Sequence, residues 1–313
     1  MKAITLTRGE ERAARRGAGE SFGMAKARVL TLVREAKIGE LVPLARPGER
    51  WEASGVCVRD GHFLVVFDDQ TVVARLSEDL EPQPRNGLLG AARGVRGYEG
   101  IAYNAAKGRF YLLVEARKHA EGKYRAVLVE SDEDLNTLKE RHLDFPFKSD
   151  NKGFEAVAHV RRDETDWILA LCEGNRCKCG RKGREPGGGR VQLFEKKKTL
   201  WGHAGTIALP DSVPFVDYSG MSIDRGRVAI VSQVNSMLWI GRFDEADWNW
   251  RDAGMLYEFP RSSEGAIQYG NIEGVGWITP TRIVTVSDRR KKSTQPDRAL
   301  SEKDQSIHIF DIP

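Results

Sequence analysis

Glu99, Glu155 and Glu273 each open a short apolar run: Tyr98-Glu99-Gly100-Ile101, Gly153-Phe154-Glu155-Ala156-Val157 and Ile272-Glu273-Gly274-Val275. Serine takes the equivalent place in Glu52-Ala53-Ser54-Gly55-Val56 and Tyr218-Ser219-Gly220-Met221. Carboxylates gathered at one point repel unless a cation or a proton neutralises them. Hard oxygen ligands from Glu99, Glu155 and Glu273, completed by water and by Ser54 or Ser219, suit Ca²⁺ best and Mg²⁺ or Mn²⁺ less well. The competing explanation is that the glutamates cap free backbone N–H groups at strand starts and hold no metal.

A second acidic tier follows. Asp68, Glu115, Glu173 and Asp288 close apolar runs that end 14 to 18 residues after the first set. Positive charge comes directly behind it, as Arg117 after Glu115, Arg176 after Glu173 and Arg289 after Asp288, with Lys152 just ahead of Glu155. Such a basic rim around a cation would hold phosphate or carboxylate, because metal and guanidinium groups share its oxygens. In that arrangement Glu173 is the candidate catalytic base. The bland alternative for each basic residue is a solvated loop charge.

The elements that must position these residues recur. Five apolar strands open on the acid or serine, and five partner strands answer them: Phe63 to Asp68, Phe110 to Glu115, Ile168 to Glu173, Val228 to Gln233 and Ile283 to Asp288. If Glu99 faces Glu115, the turn centres on Ala106-Lys107-Gly108; the same sum gives Asp60-Gly61-His62, Asp163-Glu164-Thr165, Arg225-Gly226 and Pro280-Thr281, all turn-compatible. Third strands follow at Thr71 to Leu76, Tyr124 to Glu130, Arg190 to Phe194, Met237 to Phe243 and Ser306 to Asp311. Openings spaced 45 to 64 residues apart, each with a small antiparallel sheet, read as an all-β fold, a β-propeller. The pattern predicts five blades, or six if the segments around 25–50 and 199–217 complete an irregular one. In such a hairpin the start of the innermost strand and the end of the next share one edge, so Glu99, Glu155 and Glu273 should meet at one mouth of a central channel.

These openings carry a resemblance to a known family. Tyr98-Glu99-Gly100-Ile101-Ala102-Tyr103, Asn151-Lys152-Gly153-Phe154-Glu155-Ala156-Val157-Ala158, Asp217-Tyr218-Ser219-Gly220-Met221-Ser222 and Ile272-Glu273-Gly274-Val275 resemble the SdiA-regulated bacterial proteins, a group akin to the phytase-like (esterase-like-phytase) propellers. The resemblance spans about residues 50–313 and departs at Ala156, where the pattern has glycine, and at a long basic insert in the third repeat. It implies a propeller and a cation site more firmly than a reaction.

Composition bounds the rest. The expected organisation is a flexible basic leader over 1–24, carrying Arg8, Arg12, Arg15 and Arg16, and one propeller domain over 25–313. A net charge of +4 is far from the basic stripe of a nucleic-acid binder, so the expected partner is an anionic small molecule or an acidic protein. The longest apolar stretch near the amino terminus, Val29-Leu30-Thr31-Leu32-Val33, is too short for a membrane span. Four cysteines make no disulfide framework, which points to a reducing, cytoplasmic setting. Cys172, Cys177 and Cys179 lack the fourth ligand of a structural zinc site except in distant His159 or His203, and read instead as a strand residue and two loop residues. The loop ending Pro186-Gly187-Gly188-Gly189 lacks the βαβ setting of a nucleotide fingerprint, and no G-x-S-x-G or H-E-x-x-H motif occurs. His159 reads as a packed side chain, and Trp167, Trp239 and Trp277 as inter-blade core. Two function classes remain: a metal-dependent hydrolase of an anionic phospho- or carboxy-ester, and a non-enzymatic binding propeller braced by a structural cation.

Overall fold

A computed structural model describes residues 27–42, 50–90, 97–119, 122–148, 153–244, 246–289 and 303–313. Strands β1 (Arg28–Val29) and β2 (Thr31–Lys37) come first in the chain. The first blade is β3 (Ala53–Arg59), β4 (His62–Phe67), β5 (Val73–Ser77) and β6 (Gly87–Leu89). The second is β7 (Tyr98–Asn104), β8 (Arg109–Lys118), β9 (Tyr124–Ser131) and β10 (Thr137–His142). The third is β11 (Phe154–Arg162), β12 (Thr165–Cys172), β13 (Arg190–Lys196) and β14 (Trp201–Ala208). The fourth is β15 (Gly220–Asp224), β16 (Arg227–Ser232), β17 (Met237–Arg242) and β18 (Met255–Glu258), and the fifth β19 (Ile272–Thr279), β20 (Arg282–Ser287) and β21 (Ser306–Asp311).

The protein is a five-bladed β-propeller. β2 pairs antiparallel with β21 and supplies the fifth blade's outer strand, so the start of the described chain closes the ring onto its end. β1 adds in parallel to β18 on the fourth blade. The segments that left room for a sixth blade are therefore outer strands of existing ones: β2 belongs to the fifth blade and β14 to the third. The leader over 1–24 lies outside the described residues.

The hairpin sums hold in detail. Asp60 and Gly61, Asp163 and Glu164, and Arg225 and Gly226 form two-residue turns with both φ angles positive, the conformation that matches strand twist. The second strand of each blade is apolar almost throughout because it is buried on both faces. Alternate residues of β4 show this: Phe63, Val65 and Phe67 pack toward the fifth blade, Leu64 and Val66 toward the second. The hydrophobic core accordingly divides into five clusters, one in each seam between neighbouring blades. Trp239 and Trp277 lie in two of these seams and Trp167 packs against one, as their strand positions suggested.

Candidate functional site

The residues that open four of the blades, Ser54, Glu99, Glu155 and Glu273, are β-bulges, while Ser219 precedes a regular ladder. In the ladder between β7 and β8, Tyr98 pairs with Val114 and Gly100 with Leu113, leaving Glu99 as the extra residue. Ser54, Glu155 and Glu273 are skipped in the same way in their own blades. A bulge frees one residue from the ladder and re-aims its side chain. Here it delivers Ser54, Glu99, Glu155 and Glu273 to one cavity of about 200 Å³ at a mouth of the central channel.

The residue after each bulge must be small. A Cβ on Gly274 would stand 2.8 Å from the Cα of Gly55, and one on Gly55 2.9 Å from the Cα of Gly100. A Cβ on Gly100 would stand 3.0 Å from the Val157 nitrogen and 3.2 Å from the Ala156 Cα. The five inner strands thus close to backbone contact through Gly55, Gly100, Ala156, Gly220 and Gly274, leaving a space of only about 10 Å³ between the two halves of the channel. Ala156 is the place where the ring tolerates a methyl group.

The second tier lines the same cavity. Asp68, Glu115, Glu173 and Asp288 are all on its wall, with Gln233 from the fourth blade and Glu52 added. Their backbones are fixed: the N–H groups of Asp68, Glu115, Glu173 and Asp288 donate to the carbonyls of Glu52, Gly97, Gly153 and Asn271, at the entry to each blade. The Asp68 and Glu173 carbonyls in turn accept from Gly97 and Tyr218 of the following blade. Burial and then the charges of Glu155, Asp68, Glu115 and Glu273 push the Glu99 carboxyl well above its ordinary value. Ser54 and Ser219 do something else: their hydroxyls donate to the carbonyls of Tyr98 and Ile272 in the next blade, tying seams together.

The basic residues are not on that wall. None of Arg117, Arg176 and Arg289 lines the acidic cavity, and Lys152 lies outside the described residues. Arg117 sits in β8 opposite Arg125, and Arg176 pairs with Glu185 at 3.2 Å on the insert of the third blade. The Arg289 backbone N–H donates to the Asp288 carboxylate. Arg117 is carried away from the mouth as β8 continues past Glu115, and Arg176 as the chain enters the insert.

The third-blade insert also departs from expectation. Cys172 and Cys177 form a disulfide, so the pair is removed from any thiolate zinc set, and Cys179 is exposed and free. Buried Asn175 organises the loop: its amide donates to the Gly183 and Phe215 carbonyls, and its oxygen accepts from Gly188 N and Tyr218 Oη. His203 bonds Gln192 at 2.7 Å. His159 is more than packing. It lines a larger cavity of about 430 Å³ at the opposite mouth and places Nε2 3.1 Å from the buried Asp166 carboxylate, which also holds Lys107 and Asn104. Sequence spacing gave no sign of this pairing except that 159 and 166 flank one hairpin turn.

Among the described residues no three Asp, Glu, His or Cys side chains stand ready-spaced to hold a metal. The donor chemistry nevertheless fits a hard cation: eight carboxylates and one amide oxygen face one small space. To bind an ion, two or three of the carboxylates would draw inward by rotamer changes.

No family model matches the chain, and no curated protein resembles it in sequence. Solved structures of similar shape include glutaminyl cyclase from Myxococcus xanthus, with 12% identity, TM-score 0.49 and coverage of 92% of this chain and 98% of that one. The PQQ-bound aldose sugar dehydrogenase of Streptomyces coelicolor has 12% identity and TM-score 0.46, covering 89% of this chain and 98% of its own. A GH43_1 enzyme from Xanthomonas citri has 10% identity and TM-score 0.49, covering 89% and 90%. At these values the likenesses say nothing about activity.

Proposed function

We propose that the acidic mouth binds a divalent cation, Ca²⁺ ahead of Mg²⁺ or Mn²⁺, through Glu99, Glu155 and Glu273, and that the chain is a binding propeller braced by that ion. What carries this reading is the wall itself: eight carboxylates on a cavity of about 200 Å³, with no basic side chain lining it among the described residues. Like charges so placed are unfavourable unless neutralised, and a bound cation removes the repulsion that pushes Glu99 up. The bulges support it further, since in the first, second, third and fifth blades a polar residue is taken out of the ladder and re-aimed at the cavity. The resemblance to the SdiA-regulated propellers points the same way.

Hydrolysis of an anionic ester is the second reading, with Glu173 taking a proton from water. A bound cation would supply the Lewis acid. What favours this reading is the place of Glu173 on the cavity wall beside the proposed ligands. Arg117, Arg176 and Arg289 do not line that wall, so among the described residues the substrate oxygens would meet the cation alone. Recognition asks only for the cation and is therefore the first reading. Calorimetric titration of chelated protein with Ca²⁺ tests the site, and a panel of chromogenic phosphate and carboxylate esters, with Glu173→Gln as control, tests turnover. Binding of Ca²⁺ without turnover is the expected outcome.

A further inference from the structure

The opposite face of the propeller carries a cluster of positive charge. At the outer end of the fourth blade, Arg225, Arg242 and Arg251 line a cleft of about 380 Å³ with Gly226, Phe243 and Asp244. Arg225 also lines the cavity of about 430 Å³ at that mouth of the channel, so the two spaces adjoin. Their acids are accounted for. Arg225 pairs with Asp224 at 3.1 Å and Arg251 with Asp244 at 2.5 Å, while Asp244 also accepts from Ala246 N.

Two arginines are left over. Arg227 and Arg242 are directly opposite each other across β16 and β17, and among the described residues no carboxylate forms an ion pair with either guanidinium, although Asp224 attracts Arg227 from farther off. Like charges directly opposed in a ladder destabilise the sheet. Arg227 lies over the Trp277 ring at 4.1 Å, and burial, followed by Arg242, pushes its guanidinium below its ordinary value. A protein that needed only a soluble surface here would gain by placing an acid at either position. The pair instead spends stability on concentrated positive charge, beside planar forks suited to bidentate oxyanion binding.

We propose that this arginine cleft binds the phosphoryl group of an organic phosphomonoester, with the ester's apolar part lying in the adjoining cavity against Ile223, Met221 and Trp277. Arg225 stands at the junction and Arg242 supplies the unpaired fork. The site is distinct from the acidic mouth, since the constriction formed by the inner-strand glycines lies between them.

Phenyl phosphate is the probe, titrated into the full chain in EDTA, with inorganic phosphate and chloride for comparison. Phenyl phosphate should bind more tightly than inorganic phosphate, and both should exceed chloride. Arg242→Gln should weaken phenyl phosphate binding about 10- to 100-fold, the loss expected of a charge-assisted contact. The same variant should melt at a higher temperature than wild type in phosphate-free buffer, because the opposed charge is gone; that readout shows it is folded. Arg251→Gln should weaken binding as well. Affinity unchanged in both variants, affinity no greater than for chloride, or binding that requires added Ca²⁺ would overturn the assignment. Equal affinity for phenyl and inorganic phosphate would overturn the role given to the cavity.

Discussion

Gly274→Ala isolates the closure of the ring from everything else in the molecule. The backbone at Gly274 does not have the positive φ that would strain alanine, so the cost is steric alone. The added Cβ would meet Val286 Cγ2 at 2.7 Å, Gly55 Cα at 2.8 Å and Gly55 C at 3.1 Å. The valine methyl can turn away, but the Gly55 backbone is held in β3 by its own ladder and cannot retreat without moving a blade. Overpacking of this kind costs about 2–3 kcal/mol, which for a domain of this length lowers Tm by about 3–5 °C. Gly87→Ala is the control, since a Cβ there meets nothing within 4 Å. Its effect should stay within about 0.5 kcal/mol. Thermal unfolding followed by far-UV circular dichroism reads both variants. If Gly274→Ala melts with Gly87→Ala and wild type, the inner strands are not in backbone contact and the packing argument for the constricted channel is wrong.

Three further outcomes are expected. The raised Glu99 pKa means metal-free stability is fully present below the ordinary glutamate value of 4.5 and is lost as pH rises through the higher folded value; Glu99→Gln should remove that decline, gaining on wild type by up to about 1.4 kcal/mol per pH unit across the window. Glu35 behaves oppositely: His308, against the cost of burial, together with Lys303 lowers it to about 2, so its stabilisation holds above 4.5 and is lost as pH falls toward 2. Glu35→Gln should therefore move the acid-unfolding midpoint upward by chemical denaturation at stepped pH. Thiol titration should find one readily reactive group, Cys179, in native protein, a second, Cys57, after denaturation, and two more after reduction of Cys172–Cys177. Burial in the channel wall pushes the Cys57 thiol up to about 12, which slows it in the native state.

The inner hairpins were legible because each element of their geometry leaves a mark in sequence. A bulge puts a polar residue inside an apolar run, the axis demands a small residue after it, and two-sided burial makes the second strand apolar throughout. The outer strands leave no such mark. β10, Thr-Leu-Lys-Glu-Arg-His, is exposed over its first four residues, and β6 spans only Gly87–Leu89. β2 is paired with a strand some 270 residues away in sequence, so no local pattern could assign it to the fifth blade. The site was legible to the same depth. Acids at strand ends fall where hairpin arithmetic puts them, whereas Arg117 follows a strand that runs on past its acid and Arg176 lies in the third-blade insert, and neither course is marked in the sequence. The disulfide joins a strand end to a tight turn, and the arginine cleft sets the Arg225-Gly226 hairpin turn against residues 242 to 251, which lie outside the repeated inner hairpins.

The most direct test of the cation site is titration of chelated protein with Ca²⁺, followed together by calorimetry and by Tm. One ion per chain should bind, and Tm should rise with the logarithm of free Ca²⁺ once the site is saturated, by about 2.7 kcal/mol of added stability at a hundredfold excess over Kd. Glu99→Gln, Glu155→Gln and Glu273→Gln should each abolish or sharply reduce both signals, while Gly87→Ala leaves them intact. No heat and no shift with Ca²⁺, Mg²⁺ or Mn²⁺, in protein that melts cooperatively, would contradict the cation site and leave the acidic mouth to be neutralised by shared protons alone.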